Sequence, residues 1–451
     1  MRTSQSLSRQ GLARRLGRLA TAGPALGAVW ATACGASESG GDAPAPAAAP
    51  VPLEFQFYLP VTHPAGGVWR QVLQRYAAAN ARRVSLNEAT WEADTPYDKL
   101  LTHLAGGTGP DAWYGGYFDL TPLLAQGAAV AVDEALKGVP DWRRRREDIT
   151  PLMRETLTWK GRLAGMPVDR NFIAVAYSRG HLRRAGLAEP RPDWKWDDLR
   201  EMARRAASPP DVWGLDLQHN NGYTTLLSWL QFYAGTGAQL MTRDATKVTV
   251  LNTEAELTSR WLYDLIHSHR LVPFPVQPEL LRQGEKTVFE QQGPYRLPTL
   301  RQLGVDFGVV RNPTAPFGKP VRITYGSGSG VAVLRGKDGA RVAPAAQAVL
   351  AMVETEAQAK LATEGGNMPV TTSGFAAKEV KDFVAKDREY GAWMEETPYA
   401  TRVQGLPSGQ KLYVEMAQAL VDYFNQKAGL REALERMQST GQRLLDEEHQ
   451  R

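Results

Sequence analysis

The chain has 451 residues, of which 43% are hydrophobic and 22% are charged, and these are the proportions of a globular protein rather than of a disordered one. Its single cysteine excludes an intramolecular disulfide and any multi-cysteine zinc or iron–sulfur site. The formal net charge of +5 comes from five arginines in the first 33 residues, so the remainder is formally neutral and gives no electrostatic reason to expect a nucleic-acid partner.

Residues 1–33 have the layout of an export signal peptide. The basic pair Arg14-Arg15 precedes an uncharged, mildly apolar stretch of 15 residues that ends at Ala33. That stretch is too short for a membrane-spanning helix, which needs about 20 apolar residues. Small residues before Cys34 resemble a bacterial lipoprotein signal, in which the cysteine receives lipid and becomes the mature N-terminus. The arginine pair resembles a twin-arginine export signal, and a plain secretory leader with an incidental cysteine is the alternative.

Residues 34–52 are predicted to form a flexible tether. After Cys34 the segment is almost entirely glycine, serine, alanine and proline, a composition that cannot bury enough apolar surface to fold. A signal, a lipid-modified cysteine, a tether and a folded body together predict an exported protein. We expect it to be anchored to the outer face of the cytoplasmic membrane, at the cell surface or in the periplasm.

The folded body begins with strands and helices in alternation. Apolar and polar side chains alternate in the predicted strands, and apolar residues recur at helical spacing in the segments between them. The predicted elements are a strand over 53–59, a helix over 66–80, a strand over 83–90, a helix from Pro96, a strand over 111–114 and a helix near 119–126. This order favours parallel strands joined by right-handed crossovers, in an α/β sheet that binds ligands beyond the carboxyl ends of its strands.

The rest of the chain is predicted to be richer in helix. A second βα-rich stretch covers about 171–310, and the last third contains predicted helices over 343–362, 378–393 and 413–445. At about 150 residues per domain, the length is consistent with two or three domains.

Five motifs along the body occur in the order found in one known family. They are 91–114 (WEADTPYDKLLTHLAGGTGPDAWY), 159–178 (WKGRLAGMPVDRNFIAVAYS), 181–199 (HLRRAGLAEPRPDWKWDDL), 283–295 (QGEKTVFEQQGPY) and 365–369 (GGNMP). Together they resemble bacterial extracellular solute-binding proteins of family 1, the sugar-binding lipoproteins of maltose-binding-protein type above all. Three positions depart from the family pattern: Ser178 replaces Asn, Val288 replaces Met and Tyr295 replaces Trp.

The resemblance implies an α/β, two-lobed periplasmic-binding-protein-like fold of type II. The ligand cleft would lie between lobes joined by hinge strands, and the chain would cross near 167–177, 323–333 and 366–370. Lobe 1 would comprise 53–168 and 326–368, and lobe 2 would comprise 169–325 and 369–448. A cleft that closes about a hinge is a general means of capturing a small ligand.

Candidate ligand-binding residues follow from the chemistry of sugars. Aromatic rings cover the C–H faces, and amide, carboxylate or guanidinium groups bind the hydroxyls. Residues of these types near strand ends, in polar loops and at the crossings are His63, Trp91, Trp113, Tyr114, Tyr117, Asp119, Asp169, Asn171, Tyr223, Tyr295, Arg296, Tyr325, Ser327, Asn367 and Trp393. Tyr295 takes the family's stacking position, whereas packing, hinge hydrogen bonds and, for Asp119, helix capping are the alternative roles.

These features predict the substrate-binding subunit of an ABC importer rather than an enzyme. It would capture a mono- or oligosaccharide as a monomer and deliver it by hinge closure to permease subunits that use a separate ATPase, without a cofactor, a metal or nucleic acid. The chain carries no zinc-protease, nucleophile-elbow or P-loop motif. The alternatives are a surface-tethered glycoside hydrolase, with Asp119 and Asp169 as its carboxylate pair, a sensor ectodomain, and a binding protein for a non-sugar solute such as a peptide.

Overall fold

The computed structural model describes residues 52–59, 62–80, 83–88, 96–219, 222–277, 279–336, 339–402 and 405–450. The predicted leader, Cys34, nearly all of the tether and Trp91 lie outside the described residues. Within the ranges above, no helix is both long and apolar enough to cross a membrane.

The strands of the described residues form two large sheets and one small hairpin. In chain order they are β1 Leu53–Phe57, β2 Val84–Glu88, β3 Ala112–Gly116, β4 Ala129–Val130, β5 Thr158–Trp159, β6 Arg162–Leu163, β7 Met166–Phe172, β8 Ala174–Ser178, β9 Trp213–Asp216, β10 Thr287–Gln292, β11 Phe307–Val310, β12 Thr324–Leu334 and β13 Ala400–Arg402. The first sheet has the order β13-β12-β3-β1-β2, with β4 and β7 also paired to β12. The second sheet has the order β11-β8-β10-β9, and β5 pairs with β6.

The α-helices of the described residues cover the faces of these sheets. In chain order they are α1 Pro64–Ala79, α2 Pro96–Ala105, α3 Tyr117–Ala125, α4 Val132–Ala135, α5 Trp142–Asp148, α6 Pro151–Thr156, α7 Arg179–Arg184, α8 Trp196–Ala206, α9 Gly222–Gly235, α10 Thr253–Ile266, α11 Leu297–Gln302, α12 Val342–Leu350, α13 Thr355–Lys360, α14 Thr372–Ala376, α15 Lys378–Lys386, α16 Arg388–Met394, α17 Gln410–Phe424 and α18 Leu430–His449. Short turns of tighter or wider helix lie at Pro294–Arg296, Gly339–Arg341, Ala351–Val353, Leu361–Gly365 and Thr397–Tyr399.

The predicted βα alternation is confirmed at the start of the body, but the prediction of parallel pairing holds for only part of each sheet. β1 pairs in parallel with β2 and β3, and β9 pairs in parallel with β10. In contrast, β12 runs antiparallel to β3, β4 and β7, and β8 runs antiparallel to β10 and β11. The chain enters β8 directly from the other sheet and reaches β12 through a loop. The rule that a crossover joins two parallel strands of one sheet therefore does not apply to β8 and β12.

The three long helices predicted for the last third are each interrupted. Asp387 breaks the predicted 378–393 helix, because its backbone is extended and its carboxylate caps the next helix by accepting the N–H of Tyr390 at 2.9 Å. Glu354 is extended between α12 and α13, and Gln426, with φ +59°, lies between α17 and α18. The apolar spacing continues across these breaks because both helices of each pair pack into protein interior.

The chain passes from the first sheet to the second over a single residue. β7 belongs to the first sheet and β8 to the second, and only Ile173 separates them. β12 pairs with β7 along most of its length, and Arg170 of β7 forms an isolated bridge with Met368. The three predicted crossing segments therefore lie side by side.

Alternate glycines allow β7 and β12 to lie this close together. A Cβ at Gly326 or Gly328 would come within 3.0 Å of a β7 carbonyl oxygen, a distance that real Cβ atoms do not show. A Cβ at Gly328 would also meet the ring of Tyr117 from α3. The glycines of this strand are therefore explained by backbone approach and helix packing.

One further connection between the sheets was not predicted. β13 pairs with β12 at the edge of the first sheet, and the chain then passes against α3, where Gly409 lies beside Phe118 and Pro122. α17 follows and packs with α9 and α18 in the second lobe. No motif marks this segment, because its position depends on contacts with residues nearly 300 positions away.

Each large sheet has its own apolar core. Around the first sheet the core is formed with α1, α3, α12 and α13, and one face of the second sheet packs against α8, α9, α10, α17 and α18. A smaller core with α11, α15 and α16 covers the other face of the second sheet. These cores agree broadly with the two predicted lobes, whose residue boundaries stay a prediction.

Candidate ligand-binding site at the lobe junction

A buried carboxylate lies at the crossing between the lobes. The Asp169 side chain on β7 is fully buried, and it accepts the Tyr114 hydroxyl at 2.8 Å and the Ser329 backbone N–H at 3.0 Å. The Asn171 amide lies 3.3 Å from the same carboxylate. Burial raises the pKa of Asp169 to about 6, and hydrogen bonds from Tyr114, Ser329 and Asn367 oppose that rise. Three sequence-predicted residues, Tyr114, Asn171 and Asn367, thus meet at Asp169.

One residue of this cluster, Tyr58, was not among the predicted candidates. Tyr58 directly follows β1, and its hydroxyl shares a 2.7 Å hydrogen bond with the Ser329 hydroxyl on β12. Its ring lies 5.2 Å from the ring of Tyr114. Tyr58 could have been found from its place at the end of a predicted strand. Tyr117, which was predicted, donates its hydroxyl to the Asp169 carbonyl oxygen.

An arginine with an aromatic neighbour lies in the turn after β10, on the second lobe. The Arg296 guanidinium lies 5.3 Å from the centre of the Tyr295 ring and forms an ion pair with Glu279. The ring of Tyr295 folds back over Gly293, where a Cβ would clash with it. The Gly-Pro-Tyr-Arg sequence therefore fixes both side chains, and Glu279 is a neighbour that no motif indicated.

His63, on the first lobe, interacts electrostatically with Arg296 of this turn. It is the residue before α1, and burial together with the charge of Arg296 lowers its pKa to about 4. His63 is therefore neutral at physiological pH, which suits a hydrogen-bonding role beside a cation. Tyr58 and Tyr295 also lie near enough to interact electrostatically. Tyr58 and His63 from lobe 1 thus approach Tyr295 and Arg296 from lobe 2.

Several buried polar atoms at this junction have no hydrogen-bond partner among the described residues. They are His63 Nδ1, Asn171 Oδ1, Arg296 Nε and Asn367 Oδ1. Buried polar groups in folded proteins are ordinarily hydrogen-bonded, and similar atoms also occur inside the cores. The set here contains a donor, Arg296 Nε, and two acceptors, Asn171 Oδ1 and Asn367 Oδ1, and it includes groups from both lobes, which suits a polyhydroxylated ligand.

Asp119 takes the helix-capping position that was the alternative to ligand contact. It lies in the first turn of α3, and the backbone N–H of Gly116, the residue before that helix, donates to its carboxylate. Burial raises the pKa of Asp119 to about 7. The charge of Asp119 raises the pKa values of Tyr58 and Tyr97, so Asp119 borders the junction although its carboxylate is used to cap the helix.

Most of the remaining candidates have positions outside the Asp169 cluster. Trp113 is fully buried in the first core and Trp393 in the smallest core, where its indole donates to the Gln292 carbonyl at 3.2 Å. Tyr223 packs edge-on against Phe118, with ring centres 4.7 Å apart. Tyr325 is buried in the large core of the second lobe, and its backbone is held by Gln231. The backbone of Ser327 lies opposite that of Asn171 in β7, and Trp91 lies outside the described residues.

The charge of Arg296 at the junction is balanced. Arg296 is paired with Glu279 and also interacts with Asp216. In the part of the chain that the structure describes, no group of three or more His, Cys, Asp or Glu side chains could hold a metal ion. The junction therefore offers rings, hydroxyls, amides and one neutralised cation.

Comparison with known proteins shows the family of the chain. A sequence model of bacterial extracellular solute-binding proteins matches residues 71–392, well over half of the chain. The chain belongs to the bacterial extracellular solute-binding proteins. No curated protein matches the sequence significantly.

Solved structures of solute-binding proteins share the fold. The cycloalternan complex of the ABC substrate-binding protein Lmo0181 from Listeria monocytogenes is 16% identical, with a TM-score of 0.76 over 88% of this chain and 99% of that one. Maltose-bound MalE3 of T. maritima is 15% identical, with a TM-score of 0.74 over 87% and 99%. UgpB from Mycobacterium tuberculosis with glycerophosphocholine is 16% identical, with a TM-score of 0.75 over 88% and 99%. These matches confirm the predicted two-lobed fold.

Removing the Tyr114 hydroxyl tests the Asp169 cluster of this solute-binding protein. The Tyr114 donor stabilises the ionised form of Asp169, so a Tyr114→Phe variant has a higher Asp169 pKa than the wild type. Its stability deficit therefore grows as pH rises through about 6. We expect a loss of about 1–3 kcal/mol in the free energy of unfolding at pH 7.5 and a smaller loss at pH 5, measured by urea unfolding.

Tyr390→Phe is the matched control. Tyr390 is as deeply buried, but its hydroxyl donates to the neutral carbonyl oxygen of Asn367 at 3.0 Å. Its loss of stability should be the same at both pH values. An equal loss at both pH values in Tyr114→Phe would contradict the assigned hydrogen bond.

Proposed function

We propose that this protein is the substrate-binding subunit of an ABC importer and that it captures a carbohydrate between its lobes without chemical conversion. The observation that carries the proposal is the approach of Tyr58 and His63 on lobe 1 to Tyr295 and Arg296 on lobe 2. Tyrosine rings can cover the C–H faces of a sugar, while the imidazole, guanidinium and nearby amides can bind its hydroxyls. Asp169 fixes the crossing beneath them.

Charge distinguishes a neutral sugar from a phosphodiester. Two of the similar solved structures are of proteins with cycloalternan and maltose, and a third is of a protein with glycerophosphocholine. A phosphate group favours an unpaired arginine or lysine. Arg296, whose charge acts on His63 across the junction, is already paired with Glu279 and interacts with Asp216. This balance favours an uncharged carbohydrate.

Import requires partners that this chain does not supply. We propose that the two lobes close about the paired crossing segments β7 and β12 when the sugar binds, and that the closed monomer docks on membrane permease subunits with a separate ATPase. Support for this comes from membership of the solute-binding family and from the two-lobed fold.

A panel of ligands tests the proposed substrate class. Thermal unfolding of the purified protein would be followed with mono- and oligosaccharides, polyols, glycerophosphocholine, amino acids and peptides. A ligand at 100 times its Kd should stabilise the folded state by about 2.7 kcal/mol, and we expect this with one class of sugar. Recovery of that sugar intact would support binding without hydrolysis. Stabilisation by peptides or glycerophosphocholine alone would overturn the carbohydrate assignment, and cleavage would favour the hydrolase alternative.

Replacing Tyr295 tests the stacking position. A Tyr295→Ala variant loses ring stacking worth about 0.5–1.5 kcal/mol in addition to buried contact area, so we expect affinity for the stabilising sugar to fall roughly tenfold or more. Isothermal titration calorimetry would measure it. Tyr263→Ala is the control, because Tyr263 is a partly buried tyrosine that packs against Tyr423 on the helical side of lobe 2. Equal affinities of wild type and Tyr295→Ala would contradict the stacking role.

We also propose that Cys34 is lipidated and anchors the exported protein to the membrane. The small residues before this cysteine and the tether after it support the proposal. In a bacterial host that processes lipoproteins, the full-length protein should sediment with membranes and be released by detergent. A Cys34→Ser variant should appear in the soluble exported fraction. Retention of that variant in the membrane fraction would contradict anchoring through Cys34.

A further inference from the structure

Two acidic side chains are buried together behind the Tyr295–Arg296 turn. Asp216 ends β9, and Glu290 lies directly opposite it on the parallel neighbour β10. The exposed fractions of these residues are 4% and 3%. Paired residues on adjacent strands lie about 5 Å apart, so two full negative charges at these positions would repel each other strongly out of contact with water.

One loop uses both carboxylates. The backbone N–H of Leu280 donates to Asp216 at 3.0 Å, and the N–H of Leu281 donates to Glu290 at 2.8 Å. The Gln218 amide also donates to Asp216, at 3.0 Å. The pair therefore holds two consecutive residues of the loop 279–282 against the end of the second sheet.

This loop extends to the candidate site. Its residue Glu279, which has the left-handed backbone angle φ +59°, forms ion pairs with Arg282 in the same loop and with Arg296 beside Tyr295. The charge of Arg296 in turn lowers the pKa of His63 on the first lobe. The position of the pair thus determines where the loop places Glu279, and Glu279 restrains the guanidinium of Arg296.

The surroundings favour one proton on the pair. Burial raises the pKa of Asp216 to about 6, although Arg296 opposes the rise, and burial with the charge of Asp216 raises the pKa of Glu290. On the other side of β10, β8 places the uncharged Ala176 opposite Glu290. The charged and titratable groups that face the pair are Glu279, Arg282, Tyr295 and Arg296.

We propose that Asp216 and Glu290 share a proton and are positioning residues. Together they hold the loop 279–282 and, through Glu279, the Arg296 side of the cleft. Loss of the proton therefore loosens the loop and weakens ligand binding. The hold of the pair on the loop is inferred from the contacts alone, whereas the effect on ligand binding rests on the proposed function. Since ionising a buried pair disfavours the folded arrangement, the loop is most firmly held at low pH and is released as pH rises through the titration of the pair.

Amide hydrogen exchange of the ligand-free, full-length protein tests the shared proton. Protection factors of the Leu280 and Leu281 N–H groups, corrected for the intrinsic pH dependence of exchange, would be measured between pH 5 and pH 8. We expect them to fall roughly tenfold or more across this range. In Glu290→Gln, the glutamine amide can donate to Asp216 and its oxygen can still accept from Leu281, so protection should stay level. Unchanged protection in the wild type would overturn the proposal, as would the same fall in Glu290→Gln.

Asp111→Asn is the matched control for the removal of a buried carboxylate. Asp111 is 4% exposed and accepts the backbone N–H of Glu54 at 2.7 Å, but it lies in the first lobe and is paired with Arg341. This variant should keep the wild-type fall in Leu280 and Leu281 protection. Loss of that fall in Asp111→Asn would overturn the assignment of the pH dependence to Asp216 and Glu290.

Affinity for maltotriose, measured at pH 5 and pH 8, tests the link to the cleft. The wild type should bind roughly tenfold more weakly at pH 8, and Glu290→Gln should bind equally at both. A pH-independent wild-type affinity together with pH-dependent amides would overturn the positioning role. Absence of maltotriose binding at either pH counts against the proposed sugar function, while the amides still decide the shared proton.

Discussion

The pairing of β7 with β12 is the constraint on which the rest of the molecule depends. These strands carry the chain at the boundary of the two lobes, and their backbones approach so closely that only hydrogen fits at Gly326 and Gly328. The same pairing brings Ser329 against Asp169 and thereby fixes a carboxylate at the centre of the junction. Any side chain larger than glycine at these positions would push β12 away from β7 and displace the Asp169 cluster with it.

Three buried acids hold backbone segments in this molecule. Asp169 accepts from Ser329, Asp216 accepts from Leu280, and Glu290 accepts from Leu281. Each carboxylate thus gives a loop or strand a strong acceptor inside a region of low polarity, where hydrogen bonds are stronger than in water. The cost of burying the charge appears as raised pKa values, and it makes the stability of these segments depend on pH.

Local patterns were enough to predict the fold, because family motifs and βα alternation depend on short segments. They also indicated Asp169, Asn367 and Tyr295, which lie at a crossing or in a motif. Tyr58 and Glu279 were missed because their positions depend on sheet register and loop path, and the partner of Tyr58, Ser329, is 271 positions away in the chain. Trp113 and Trp393 lie in apolar cores, and the sequence could not indicate this, since an aromatic residue beside a strand has the same sequence pattern whether its side chain points to a cleft or to a core.

The position of Phe118 determines how the lobes can move. This residue belongs to α3 of the first lobe, yet it is only 7% exposed and its ring packs in the core of the second lobe, against Tyr223 and Tyr413. Withdrawing a phenylalanine into water costs about 1.5–3 kcal/mol, so a motion that separates the lobes at this contact is disfavoured. A rotation that keeps Phe118 in place is less costly and makes it a pivot. In the lobe closure proposed above, displacement then grows with distance from this ring, so the surfaces farthest from it travel the longest arc.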